Sequence, residues 1–132
     1  MSTATTASVS THILDTSIGR PAEGVAISLA ARAGSGAAWV ALRGSATDAD
    51  GRCKDLPALP EGTTHVRLDF ETEAYFDKKQ ADAQQDAPAN RDSVTTGAFF
   101  PEVAITFAVV PGEHYHVPLL LNPFGYSVYR GS

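Results

Sequence analysis

Apolar and polar side chains alternate with a period of two in short blocks along most of this chain, and that period decides what it can fold into. The clearest block is His65-Val-Arg-Leu-Asp-Phe-Glu71, with Val66, Leu68 and Phe70 on one side and His65, Arg67, Asp69 and Glu71 on the other. Successive side chains point to opposite faces of a strand, so such a block buries one face and wets the other. The same alternation places Val9, Thr11 and Ile13 opposite Ser10, His12 and Leu14, and sets Val25, Ile27 and Leu29 against Ala26, Ser28 and Ala30. Between the blocks lie turn formers: Gly19-Arg-Pro21, Gly34-Ser-Gly36, Asp50-Gly51, Pro57, Pro60 and Pro111-Gly112.

Strands are expected over 9–15, 24–32, 39–43, 52–56, 65–71, 102–110, 115–121 and 126–130, with one short surface helix over 73–85, where Ala, Lys, Gln and Asp replace β-branched residues. The polar, aperiodic stretch 86–97 reads as a loop. About eight short strands and one helix are the inventory of an all-β antiparallel sandwich. At 132 residues the chain suits one domain. Residues 1–8 are expected to be a flexible lead-in and 9–132 the domain.

A net charge of −5 with scattered basic residues gives nucleic acid no electrostatic footprint. No apolar run approaches the roughly 18 residues of a membrane span, and the first residues lack the basic and apolar blocks of a secretory signal. A lone Cys53 cannot form an internal disulfide and fits a reducing compartment, so a cytoplasmic location is expected.

Chemistry concentrates near the end of the chain, in His114-Tyr-His-Val-Pro-Leu-Leu-Leu121 and Tyr129-Arg-Gly-Ser132. His114 and His116 share one face of their strand, a spacing that can chelate a metal; with no third ligand nearby in sequence, no metal is expected. A neutral imidazole can take a proton from water, and an arginine's fork of donors can stabilise an oxyanion. Ser132 lacks the Gly-x-Ser-x-Gly setting of a nucleophile.

These blocks, with Thr11-His-Ile-Leu-Asp15, Gly19-Arg-Pro-Ala22, Thr47-Asp-Ala-Asp-Gly-Arg52 and Phe99-Phe-Pro-Glu102, occur in an order that resembles the 5-hydroxyisourate hydrolases, also called transthyretin-related proteins. The resemblance covers nearly all of the chain after Ser8. It implies a transthyretin-like sandwich and hydrolysis of 5-hydroxyisourate to 2-oxo-4-hydroxy-4-carboxy-5-ureidoimidazoline in urate breakdown, without a cofactor. It also implies a homotetramer, a dimer of dimers with its sites in the channel between them. Carried onto matching positions, it makes His12, Arg52, His116 and Ser132 catalytic, and His12, Arg52, Tyr129 and Arg130 substrate-binding. Which histidine is the general base stays open. The stretch 77–98 is longer than in most relatives. The alternative implied by the same fold is a transthyretin-type protein that binds a small molecule without hydrolysing it. Polar His12, Arg52 and the terminal Arg-Gly-Ser favour the enzyme, because a passive apolar channel has no need of them.

Overall fold

The computed structural model describes residues 6–84 and 98–131. The expected loop 86–97, Ser132 and residues 1–5 lie outside them. Among the described residues the strands are β1 (Ser8–Asp15), β2 (Arg20–Pro21), β3 (Ala26–Arg32), β4 (Val40–Ala46), β5 (Arg52–Cys53), β6 (His65–Phe70), β7 (Val103–Ala108), β8 (His114–Asn122) and β9 (Gly125–Val128). The helix α1 spans Thr72–Gln84. One sheet has the order β2-β1-β8-β9, with β5 also paired to β1; the other is β4-β3-β6-β7.

The alternation does what the period requires. Val9, Thr11 and Ile13 of β1 and Tyr115, Val117, Leu119 and Leu121 of β8 are buried, and they face Ile27, Leu29, Val66, Leu68 and Phe70 of the second sheet. Removing that apolar surface from water supplies the main drive to fold, at about 25 cal/mol per Å². The outward residues of the same strands are left free for chemistry.

Among the described residues, pairing is antiparallel with one exception: β1 and β8 run parallel over their lengths, from Ser8 opposite His114 to Asp15 opposite Leu121. Thr11 reinforces this pair by donating its hydroxyl to the Val117 carbonyl at 2.6 Å. Other differences from expectation are local. β1 starts at Ser8, one residue early, and Ala7 is already buried. Arg20–Pro21, read as loop, forms a two-residue strand on the end of β1 because Ala22 N–H reaches the Ile13 carbonyl at 3.0 Å. The strand expected over 52–56 stops at Cys53. Beyond it Asp55 accepts hydrogen bonds from Ser45 at 2.6 Å and Arg43 at 3.1 Å, which draws the chain off β1 toward β4 in the other sheet.

α1 packs through Tyr75 and Phe76, both buried. The Tyr75 hydroxyl donates to Asp15 Oδ2 at 2.7 Å, and Ser17 donates to Oδ1 through its backbone N–H and its hydroxyl. A fully buried carboxylate at the end of β1 is thereby satisfied, as burial of a charge demands. Burial and this carboxylate push the Tyr75 phenol well above its ordinary value, so it stays a donor.

Candidate active site

The outer face of the five-stranded sheet collects the polar residues of three strands. Residues paired in adjacent strands point to the same side, so Arg52 of β5 lies beside His12 of β1, and His116 of β8 lies beside Ser10. Cys53, one residue on, turns inward next to Thr11 and is buried, where desolvation raises its thiol pKa and keeps it unreactive. His12, Arg52 and His116, far apart in sequence, are thus brought to one surface.

Each is held by local chemistry. The turn before Arg52 is built on Asp48, whose Oδ1 accepts the backbone N–H of Asp50 at 2.9 Å and of Arg52 at 3.0 Å. The Arg52 backbone N–H, first among the causes, holds the Asp48 carboxyl below its usual range. Gly51 takes a φ of +76°, in the left-handed region, and its carbonyl accepts Ile13 N–H at 2.8 Å, docking the turn on β1.

His12 Nε2 donates to the Asp50 carbonyl at 3.0 Å. A carbonyl oxygen only accepts, so this nitrogen carries a proton, and Nδ1 is the nitrogen whose lone pair can act as a base. His116 Nδ1 shares a hydrogen bond with Ser10 Oγ at 2.8 Å, which leaves Nε2 as the nitrogen that Ser10 does not engage. Partial burial, then the charge of Arg52 and the neighbouring rings of His12 and His114, hold the His116 pKa below the ordinary imidazole value. It is therefore neutral, and basic in character, at neutral pH.

The tail reaches the same histidine. Gly131 N–H donates to the His116 carbonyl at 2.8 Å. A Cβ at this position would sit 3.0 Å from His116 Cδ2 and 3.3 Å from Pro118 Cγ, so only glycine lets the chain cross there undisturbed. Ser132 lies outside the described residues. The structure does not bring the Arg130 guanidinium to the trio within this chain. It lies 4.5 Å over the Tyr115 ring, whose side chain points away from the His116 face, and bonds Glu113 Oε1 at 3.2 Å. Arg130 and Tyr129 instead border a cavity of about 270 Å³ with Ile105, Phe107, Val117 and Val128.

Sequence reasoning passed over Ser8 and Ser10 as site residues and read His114 only as half of a possible metal chelate. Ser8 Oγ bonds His114 Nδ1 at 2.7 Å, and Ser10 Oγ bonds His114 Nε2 at 2.9 Å as well as His116. The signal was available, since Ser8 and Ser10 alternate onto the face of β1 that carries His12.

Comparison with known proteins follows the same lines. A model of the HIUase/Transthyretin family matches residues 9–131. The 5-hydroxyisourate hydrolase of Salmonella dublin is 40% identical over 126 residues, covering 94% of this chain and 80% of that protein. The structure of Klebsiella pneumoniae 5-hydroxyisourate hydrolase superposes with a TM-score of 0.65 at 36% identity, covering 94% of this chain and 98% of that one. Transthyretin from Sparus aurata superposes with a TM-score of 0.72 at 26% identity over 93% of this chain and 95% of its own. Against the (S)-allantoin synthase structure, the match takes in all of this chain but 46% of that longer one, at a TM-score of 0.75 and 30% identity. The two-sheet sandwich with one helix is the transthyretin-like fold, and the chain belongs to the HIUase/Transthyretin family.

Proposed function

We propose that the protein is a hydrolase that opens the ring of 5-hydroxyisourate, giving 2-oxo-4-hydroxy-4-carboxy-5-ureidoimidazoline in urate degradation. The names of its relatives support the substrate. The observation that carries the chemistry is the placement of His12 directly across from Arg52, with His116 close enough to feel the Arg52 charge.

In this reading one of His12 and His116 removes a proton from water as the oxygen attacks a ring carbonyl. The Arg52 guanidinium stabilises the tetrahedral oxyanion and the other imidazole orients the ring. As the C–N bond breaks, the same imidazole delivers a proton to the departing nitrogen. Tyr129, Arg130 and Ser132 complete the site from the tail that Gly131 fastens to His116. The working form is a homotetramer, a dimer of dimers, in the cytoplasm. Two features support the assembly. The trio lies on the outward side of a sheet, which encloses a substrate only when another copy covers it, and the edges near β7 and β9 expose Val110 and Tyr129, at 50% and 57%.

The test is the ultraviolet absorbance of freshly generated 5-hydroxyisourate. Protein accelerates its decay if the reading is correct. Decay at the spontaneous rate overturns it and leaves the ligand-binding alternative.

A further inference from the structure

The hydrogen bonds on the outer face do not end at His116. They continue without a break through Ser10 Oγ to both ring nitrogens of His114 and on to Ser8 Oγ, with links of 2.8, 2.9 and 2.7 Å. His114 and its link to Ser8 are exposed, whereas His116 is half-buried. The chain of bonds therefore joins the candidate site to solvent.

Donor counting fixes how its protons are arranged. Ser10 has one hydroxyl proton but lies between two ring nitrogens, so it donates to one and accepts from the other. With both rings neutral, two arrangements satisfy every link. In the first, Ser8 donates to His114 Nδ1, His114 Nε2 donates to Ser10, and Ser10 donates to His116 Nδ1; His116 then carries its proton on Nε2. In the second every donor is reversed, and His116 Nε2 holds a free lone pair. The two differ by one proton at each end of the chain. When His116 Nε2 takes a proton from water, its Nδ1 proton passes to Ser10, the Ser10 proton to His114 Nε2, the His114 Nδ1 proton to Ser8, and one proton leaves Ser8 for solvent. Delivery of a proton to the departing nitrogen runs the sequence backward, with one proton entering at Ser8. No net charge accumulates on the protein.

We infer that Ser8, His114 and Ser10 are positioning residues that form a proton relay, switching His116 between base and acid without the ring becoming an imidazolium. The surroundings support this, because partial burial and the nearby charge of Arg52 disfavour a positive charge at His116. The inference rests on the hydrolase reading for the reaction it serves.

The experiment uses the full chain with Ser10→Ala, Ser10→Thr and His114→Ala, assayed by 5-hydroxyisourate absorbance in dilute buffer. Ser10→Ala and His114→Ala are expected to lower kcat by about tenfold or more with KM unchanged, within the range that acid–base steps supply. Ser10→Thr, which keeps the hydroxyl, retains activity, and added imidazole restores His114→Ala by carrying the proton itself. Wild-type kcat in Ser10→Ala and His114→Ala, or a loss that imidazole does not repair, overturns the relay. Nitrogen-15 NMR of the His116 ring in the unliganded protein separates this from failure of the hydrolase reading. The relay predicts a His116 tautomer ratio that changes in His114→Ala although the two rings share no direct bond. An unchanged ratio overturns it even if wild-type protein leaves 5-hydroxyisourate untouched.

Discussion

Replacing Gly51 by alanine should be among the most damaging single-methyl changes in this protein, and its size can be worked from the geometry. The residue has a φ of +76°, where an L side chain costs about 1–2 kcal/mol. The added Cβ would stand 2.4 Å from the Ile13 carbonyl oxygen and 3.0 Å from Pro21 Cβ, closer to backbone than a real Cβ comes. The turn must move off β1, which breaks the Ile13 N–H bond to the Gly51 carbonyl and the His12 bond to the Asp50 carbonyl. At about 1 kcal/mol for each bond, the total is about 3–4 kcal/mol. Gly62→Ala is the control, because its φ is +87° but nothing lies within 4 Å of the new methyl, so the backbone cost of about 1–2 kcal/mol stands alone. Urea unfolding of the two variants and wild type, at one protein concentration, gives both values. Gly51→Ala within about 1 kcal/mol of Gly62→Ala would refute the claim that this turn is docked against β1. Because the same turn holds Arg52 and Asp50 against His12, any Gly51→Ala protein that folds should also lose turnover.

Tyr75→Phe removes one donor from the buried Asp15 carboxylate and should destabilise by about 2 kcal/mol in urea, as a hydrogen bond to a charged group is lost; a change below about 0.5 kcal/mol would contradict the pairing. Arg52→Gln removes a positive charge near His116, so the His116 pKa measured by NMR should rise toward the ordinary imidazole value, while burial still keeps it below; no rise would mean the two groups are not neighbours. The same depression has a sign for stability. His116 binds its proton less readily when folded than when unfolded, so its contribution is intact above the unfolded value of about 6.5 and is lost as pH falls below it. The acid side of the unfolding profile should therefore flatten in His116→Gln, and an unchanged slope would contradict the assignment.

Much of the sandwich was legible because β1, β3 and β6 each have one face in the core, and a period of two is how a chain writes that. Short, exposed elements left no such mark. Arg20–Pro21 is a strand only because β1 offers it a carbonyl, and the end of β5 is set by Asp55 reaching Ser45 and Arg43 across a distance no local pattern encodes. The parallel pairing of β1 with β8 joins segments about a hundred residues apart, and it decides that Ser10 meets His116. Alternation could place His12, Ser10 and His116 on outward faces but could not say that those faces adjoin. Asp15 was likewise invisible as a buried charge, since its partner Tyr75 comes from the helix. The resemblance to known hydrolases carried His12, Arg52 and His116 to positions that the fold gathers on one surface, while Arg130 rests on Tyr115 within this chain.

The central claim is that Arg52, aligned with His12 across β1 and β5, stabilises charge formed during ring opening. Its most direct test is the rate of 5-hydroxyisourate absorbance loss with Arg52→Ala beside wild type, on protein whose circular dichroism is unchanged. The account predicts decay near the spontaneous rate with the variant and rapid decay with wild type. Full wild-type turnover by Arg52→Ala would contradict it.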